Sequence, residues 1–234
     1  ENYSSGAGIG GGANGSGSNI TITGGTVIAT AIAEAERIST GAGIGGGYAE
    51  EGNHITISGG TVTATSIAKG EDGTTRAGMG GGYAGMGNDI TISGGTVTAI
   101  SSVTGEHSYA GAGIGGGYGC MGNVTISGGT VTALSTADEE SNEGYGIGSG
   151  WGAGVCSPKI CGGNIKASRL CYIIGEAGDE LYAVYPARAD LLLLAGKNAS
   201  AGNPVLQTYN KKTGETKTLS YNLNDVCTME DGYL

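Results

Sequence analysis

The stretch GAGIGGGYAEEGNHITISGGTVTA, Gly41 to Ala64, decides the fold because it recurs. Its Gly-Ala-Gly-Ile-Gly part is centred on Ile9, Ile44, Met79, Ile114 and Ile147. Its Ile-Thr-Ile part starts at Ile20, Ile55, Ile90 and Val124, and its Thr-Val-Thr-Ala part is centred on Val27, Val62, Val97 and Val131. These landmarks step by 33 to 35 residues. A unit of that length cannot bury its own apolar face and has to stack on its neighbours.

Within one unit, Ile55-Thr56-Ile57-Ser58 alternates apolar and polar with period two, the pattern of a half-buried strand. Gly59-Gly60 supplies a bend, and Thr61-Val62-Thr63-Ala64 is a second alternating strand. Ile55, Ile57, Val62 and Ala64 are expected to point inward. In the glycine run, Ala42 and Ile44 share the inward face, and Gly41, Gly43 and Gly45 the outward one. The expected fold is all-β: three short strands per turn in a parallel β-helix solenoid of about five rungs, roughly 24 Å tall at ~4.8 Å per rung. Ile9, Ile44, Met79, Ile114 and Ile147 should form one buried column. A polyglycine II packing of the GAGIGGG runs is the alternative to strands.

Stacking lines up equivalent positions. Asn19, Asn53, Asn88, Asn123 and Asn164 read as a ladder that satisfies polar groups at a turn. Tyr48, Tyr83, Tyr118 and Trp151 read as an aromatic column, with Ala13 in the first repeat. Such a column is either a platform on which sugar rings stack or a stack that closes a corner of the fold. Thr26, Thr61, Thr96 and Thr130 form an outward column of the kind common on exposed strands. The segments after Ala29, Ala64, Ala99 and Ala133 vary most and read as connections along one edge. Repeated glycine on one face suggests a close neighbour: a second copy, the C-terminal segment or a long loop. The alternative is that glycine is needed for its dihedrals.

Composition narrows the function classes. Glycine makes up 51 of 234 residues, yet glycine does not recur every third residue and there are only three prolines, which excludes collagen. The net charge of −10 argues against a nucleic-acid partner. No apolar run approaches the roughly 18 residues of a membrane span. The chain starts at Glu1, so it is read as a mature or excised piece, preceded by further repeats or another partner. Among the five cysteines, Cys156 and Cys161 flank Pro158 and suggest a local disulfide or a pair of thiols. Asp138, Glu139, Glu140 and Glu143 cluster in one connection, as a calcium candidate or as a solvated acidic loop. No cofactor is expected.

From Arg169 the repeat is gone. The expected division is a repeat region over 1–168 and a C-terminal cap or small β module over 169–234. Leu170 to Gly175, Leu181 to Pro186, Leu191 to Leu194, Val205 to Tyr209 and Thr216 to Tyr221 read as five short strands separated by turn residues. The open end of a solenoid recruits such strands.

The GAGIGGG run followed by ITISGG and TVTA resembles the Gly-rich repeats of about 35 residues in large secreted or cell-surface adhesin-like proteins of bacteria. The resemblance covers about residues 1–165. It implies a right-handed parallel β-helix of the pectin-lyase-like class and an extracellular or cell-surface location. The expected partners are a glycan or protein on another cell surface, or a further copy of the chain through its glycine face. Enzymes of this fold group Asp, Arg or Lys on one β-face, whereas the outward positions here are Thr, Ser and Gly, so no catalytic residues carry over. A non-catalytic adhesive or structural module is the leading reading. A polysaccharide lyase or hydrolase, and a phage tail-fibre or tailspike protein, are the alternatives.

Overall fold

The computed structural model describes residues 3–139, 141–154, 156, 158–160, 163–168, 172–177, 180–184, 190–195, 205–210 and 216–220. It is an all-β parallel solenoid of about four turns, without a helix among the described residues. Each turn contributes one strand to each of three parallel sheets. The glycine sheet is built from Ile9–Gly10, Ile44–Gly45, Met79–Gly80, Ile114–Gly115 and Ile147–Gly148. The short sheet is built from Ile20–Ile22, Ile55–Ile57, Gly87–Ile92, Gly122–Ile126 and Lys159–Ile160. The long sheet runs through Thr26–Glu34, Thr61–Lys69, Thr96–Thr104, Thr130–Thr136 and Asn164–Ala167. A narrow fourth ladder links Ser4, Ser39, Thr74, Tyr109 and Asn142.

Register follows the repeat. Val27 pairs with Val62, Val62 with Val97, Val97 with Val131, and Val131 with Ile165. Any slip by one residue would turn the buried set outward, so the alternation enforces this alignment. The glycine runs pair as β-ladders, which sets the polyglycine II arrangement aside. Beyond the repeat, all five strands expected in the C-terminal segment are present, within about two residues of the expected limits. Asp190–Ala195 pairs antiparallel with Asn164–Ala167, Val205–Asn210 continues the long sheet, and Thr216–Ser220 ends it. Tyr172–Ala177 and Glu180–Val184 form a separate hairpin.

The inward residues behave largely as their alternation requires. Ile44, Met79, Ile114 and Ile147 are fully buried, but Ile9, in the outermost described strand of the glycine sheet, is 37 % exposed. A larger correction concerns the segments read as connections. After Ala29, Ala64, Ala99 and Ala133 the long strands simply continue, to Glu34, Lys69, Thr104 and Thr136. Their variable residues are the outward ones, while Ser66, Ala68, Ser101, Val103 and Ser135 are buried.

The core therefore has two compartments. The main one holds the Ile and Val of the glycine, short and long strands. The smaller one holds Ala33, Ile38, Ala68, Val103 and Ala110. Between them the glycine strand touches the long strand backbone to backbone. A Cβ on Gly43 would lie 2.3 Å from the Thr65 nitrogen, and one on Gly113 would lie 2.6 Å from the Leu134 nitrogen. The close neighbour of the glycine face is thus the chain's own long strand in the same coil. Neither a loop, the C-terminal segment nor a second copy is needed to explain that glycine. The dihedral reading holds one position further on, where Gly45, Gly80 and Gly115 have φ of +131°, +131° and +135°.

The asparagine ladder is looser than expected. Asn53 accepts a hydrogen bond from the Asn88 backbone N–H at 3.1 Å, but Asn19 and Asn123 are exposed. Asn19 instead aligns with His54 and Asp89, and all three have positive φ. His54 and Asp89 pair across rungs at 3.3 Å, as do Arg37 with Asp72 at 3.6 Å and Lys69 with Glu34 at 2.6 Å. These pairs are exposed and add little stability.

Candidate functional site

One corner of the solenoid is a tight turn that follows each glycine strand. In the third turn Gly85 N–H donates to the Gly82 carbonyl at 3.1 Å, with Tyr83 and Ala84 in the middle. Ala49 and Ala84 take φ of +62° and +52°, and Gly119 and Gly152 take +73° and +79° at the equivalent positions. A positive φ at the third residue of such a turn presents the second residue's side chain on the outer corner. That residue is Tyr48, Tyr83, Tyr118 or Trp151. Glycine beside it is obligatory, since a Cβ on Gly82 would lie 1.8 Å from the Gly47 carbonyl oxygen of the previous turn.

The four expected aromatics do come together. Tyr48 stacks on Tyr83 at 5.6 Å and 7°, Tyr83 on Tyr118 at 5.4 Å and 11°, and Tyr118 on Trp151 at 5.8 Å and 16°. All four are half-buried. Most ring faces are occupied by neighbouring rings, so the column turns edges towards solvent and closes the corner at the same time. Tyr48, which follows Ala13 in the column, stacks on one ring only. Burial raises the Tyr118 hydroxyl above its ordinary value, and Tyr83 and Tyr109 add to the shift.

Two members of the site escape the repeat pattern. Tyr109 lies in the narrow ladder and tilts against Tyr118 at 5.2 Å and against Trp151 at 4.7 Å. Arg76 stands where the other turns have Gly6, Gly41, Gly111 and Gly144, and it is fully buried. Its guanidinium carbon lies 4.4 Å from the centre of the Tyr83 ring and 5.5 Å from that of Tyr48. No hydrogen-bond partner reaches Nε or either terminal nitrogen among the described residues. Burial pushes the group down to about 9, while the Tyr48 and Tyr83 hydroxyls act in the opposite direction. It remains charged at neutral pH. Cation–π attraction returns about 2 kcal/mol when desolvated. Taking an ion out of water costs several kcal/mol. Arg76 is therefore a net expense to the fold. Its sequence signal was one charged residue at a glycine position seven residues before Tyr83.

The other expected sites fare differently. Asp138 accepts a hydrogen bond from Gly105 N–H at 3.0 Å, which binds it to the neighbouring turn. Glu139 is exposed, and Glu140 lies outside the described residues. No three His, Cys, Asp or Glu residues gather as a metal site among the described residues, Glu143 included. Cys156 is buried against Tyr145, and Cys161 lies outside the described residues. No helix among the described residues is long and apolar enough to cross a membrane.

The family model described as Beta helix repeat matches four successive segments, residues 20–48, 55–83, 90–118 and 124–151. Each match ends on a ring of the aromatic column. No curated protein and no solved structure matches the chain.

Proposed function

We propose that this β-helix repeat chain is a non-catalytic adhesive module of a secreted or cell-surface bacterial protein, binding glycans through its aromatic corner. The observation that carries this reading is the half-buried row of Tyr48, Tyr83, Tyr118 and Trp151, held at a regular spacing by the coil. Ring edges and phenol hydroxyls in a row match the alternating apolar and hydroxyl surfaces of a sugar chain. A protein ligand on another cell surface is the same reading with a different partner.

The absence of turnover is part of the proposal. The outward positions of the long strands are Thr61, Thr96 and Thr130 with their neighbours Thr63, Thr98 and Thr132. The acids Glu34, Asp72 and Asp89 are engaged by Lys69, Arg37 and His54 on adjacent rungs. Neither arrangement resembles a general acid and base set around a scissile bond. The test is a glycan array screen of the wild type and of Tyr83→Ala with Tyr118→Ala. Binding that falls at least tenfold in the double variant, with no product released, supports the proposal. Depolymerisation of any polysaccharide on the array would replace it with the lyase or hydrolase reading.

A further inference from the structure

We infer that the first long strand, Thr26–Glu34, is a docking edge for a second copy of this chain, paired antiparallel about a two-fold axis at Thr30. The strand is outermost in its sheet, so one of its edges is unpaired among the described residues. At its two ends the Gly25 carbonyl accepts from Thr61 N–H at 2.8 Å, and Ala35 N–H donates to the Lys69 carbonyl at 3.2 Å. Peptide groups alternate sides along a strand, and this ladder runs without a bulge, so the odd-numbered residues face the second turn. The N–H and C=O groups of Thr26, Ile28, Thr30, Ile32 and Glu34 therefore line the free edge. A bare edge is a template for another strand, and proteins blunt it with proline, lysine, a bulge or a short strand. Thr26–Glu34 is nine residues long and uses none of these devices. Its one charge, Glu34, is engaged by Lys69. The opposite end of the same sheet finishes on Thr216–Ser220, which is five residues long and carries Lys217.

The occupant follows from the sequence of the edge. Ile28-Ala29-Thr30-Ala31-Ile32 reads the same in both directions. In an antiparallel pair, residues that exchange both hydrogen bonds stand directly opposite each other. Centring the pair on Thr30 sets it against the partner's Thr30, and Ile28 against the partner's Ile32, twice over. Ile28 is 73 % exposed and Ile32 50 %, and cross-strand pairs of β-branched side chains stabilise a sheet. A shift by two residues sets Ile28 against threonine and loses both apolar pairs. A parallel rung does the same, as in the second turn, where Ile28 pairs with Thr63. The long sheet already accepts an antiparallel strand at its other end, where Asp190–Ala195 pairs with Asn164–Ala167. A two-fold pair closes on itself, so assembly stops at two copies. One strand edge is a small interface, so the association is reversible and the dilute chain is a monomer.

The test is sedimentation equilibrium of the full chain over a hundredfold range of concentration, together with Thr30→Lys, Thr30→Glu and their equimolar mixture. Thr30 is exposed, so both variants should keep the wild-type circular dichroism spectrum. The wild type is expected to pass from monomer to dimer. Each variant sets like charges directly opposite across the axis and should dimerise at least tenfold more weakly. The mixture sets Lys against Glu and should dimerise at least as strongly as the wild type, with one copy of each. Should either variant fail to fold, Ile28→Lys takes its place, and a dimer undiminished by that change overturns the inference. A wild type that stays monomeric throughout also overturns it. So do charged variants that dimerise like the wild type, and a mixture that remains monomeric. Species that grow beyond a dimer would show head-to-tail stacking and overturn the two-fold pairing.

Discussion

The hydroxyls of Thr75 and Ser101 meet at 2.7 Å in the interior of the solenoid, and both residues are fully buried. One turn earlier Thr40 and Ser66 make the same contact at 2.6 Å. Ser66 donates onward to the Gly41 carbonyl at 2.9 Å, and Ser135 donates to the Gly111 carbonyl at 2.8 Å. These hydroxyls brace the long strand to the glycine strand at the waist between the two core compartments. They satisfy carbonyls that side-chain-free glycine leaves facing the interior.

Ser101→Ala should therefore destabilise the protein by about 1–3 kcal/mol, because it leaves the Thr75 hydroxyl buried without its partner. Thr75→Val should have a similar effect. The double variant should lose clearly less than the sum, since two apolar groups of similar shape remove the unmet bond from both sides. Ala31 already occupies the aligned position in the first turn and is buried. Urea denaturation of the four proteins in the cycle measures this, and strict additivity would show that the two hydroxyls are not coupled.

The buried isoleucine column gives a second expectation. Ile114 is fully buried between Met79 and Ile147, whereas Ile28 on the outside of the long sheet is 73 % exposed. Ile114→Asp places an unpaired carboxylate in the apolar core, where even after protonation it leaves polar atoms unmet. The variant should fail to give a folded circular dichroism spectrum. Ile28→Asp should change the melting temperature little. A folded Ile114→Asp with an unaltered melting curve would contradict the observed packing.

The parts legible in the sequence were those on which packing acts with a fixed period. Ile55, Ile57, Val62 and Ala64 alternate in every turn, and a burial preference shared by all copies can be read directly. Ser66, Ser101 and Ser135 were not legible as interior residues. A serine in a strand reads as outward, and its burial depends on glycine carbonyls brought opposite it only by the coil. The same limit hid the waist. Glycine at 43 and 113 signalled that something was close, but the identity of the neighbour is a property of the folded cross-section. Tyr48, Tyr83, Tyr118 and Trp151 share one position of the repeat and so were found. Arg76 and Tyr109 occur once each and joined that column through space.

The waist itself is testable. A Cβ on Gly113 would lie 2.6 Å from both the Gly146 oxygen and the Leu134 nitrogen, and backbone there has nowhere to retreat. Gly113→Val should destabilise by about 3 kcal/mol or more. Gly43→Val should behave alike, with the Thr65 nitrogen at 2.3 Å. Around Gly12 nothing lies within 4 Å of a built Cβ, so Gly12→Ala should melt within a degree or two of the wild type. Because the chain's own strand covers Gly113, whatever fraction of Gly113→Val folds should have the wild-type mass by light scattering. A change of oligomeric state in that variant would point instead to a second copy on the glycine face.

The last expectation follows from the charge held under the rings. Arg76 falls from its ordinary value to about 9 in the folded chain, chiefly because burial disfavours the charged form. Below about pH 9 the group is charged in both states, so the folded state carries the full burial penalty. As pH rises above about 9, the folded chain gives up this proton before the unfolded chain does. The unfolded state then binds more protons, and stability gains a contribution that increases with pH. The expected result is a stability gap in favour of Arg76→Met at pH 7 to 8 that narrows steadily by pH 10.5. Urea denaturation across that range measures it. A gap that stays constant, or widens, would mean that the guanidinium is not desolvated beneath the two rings.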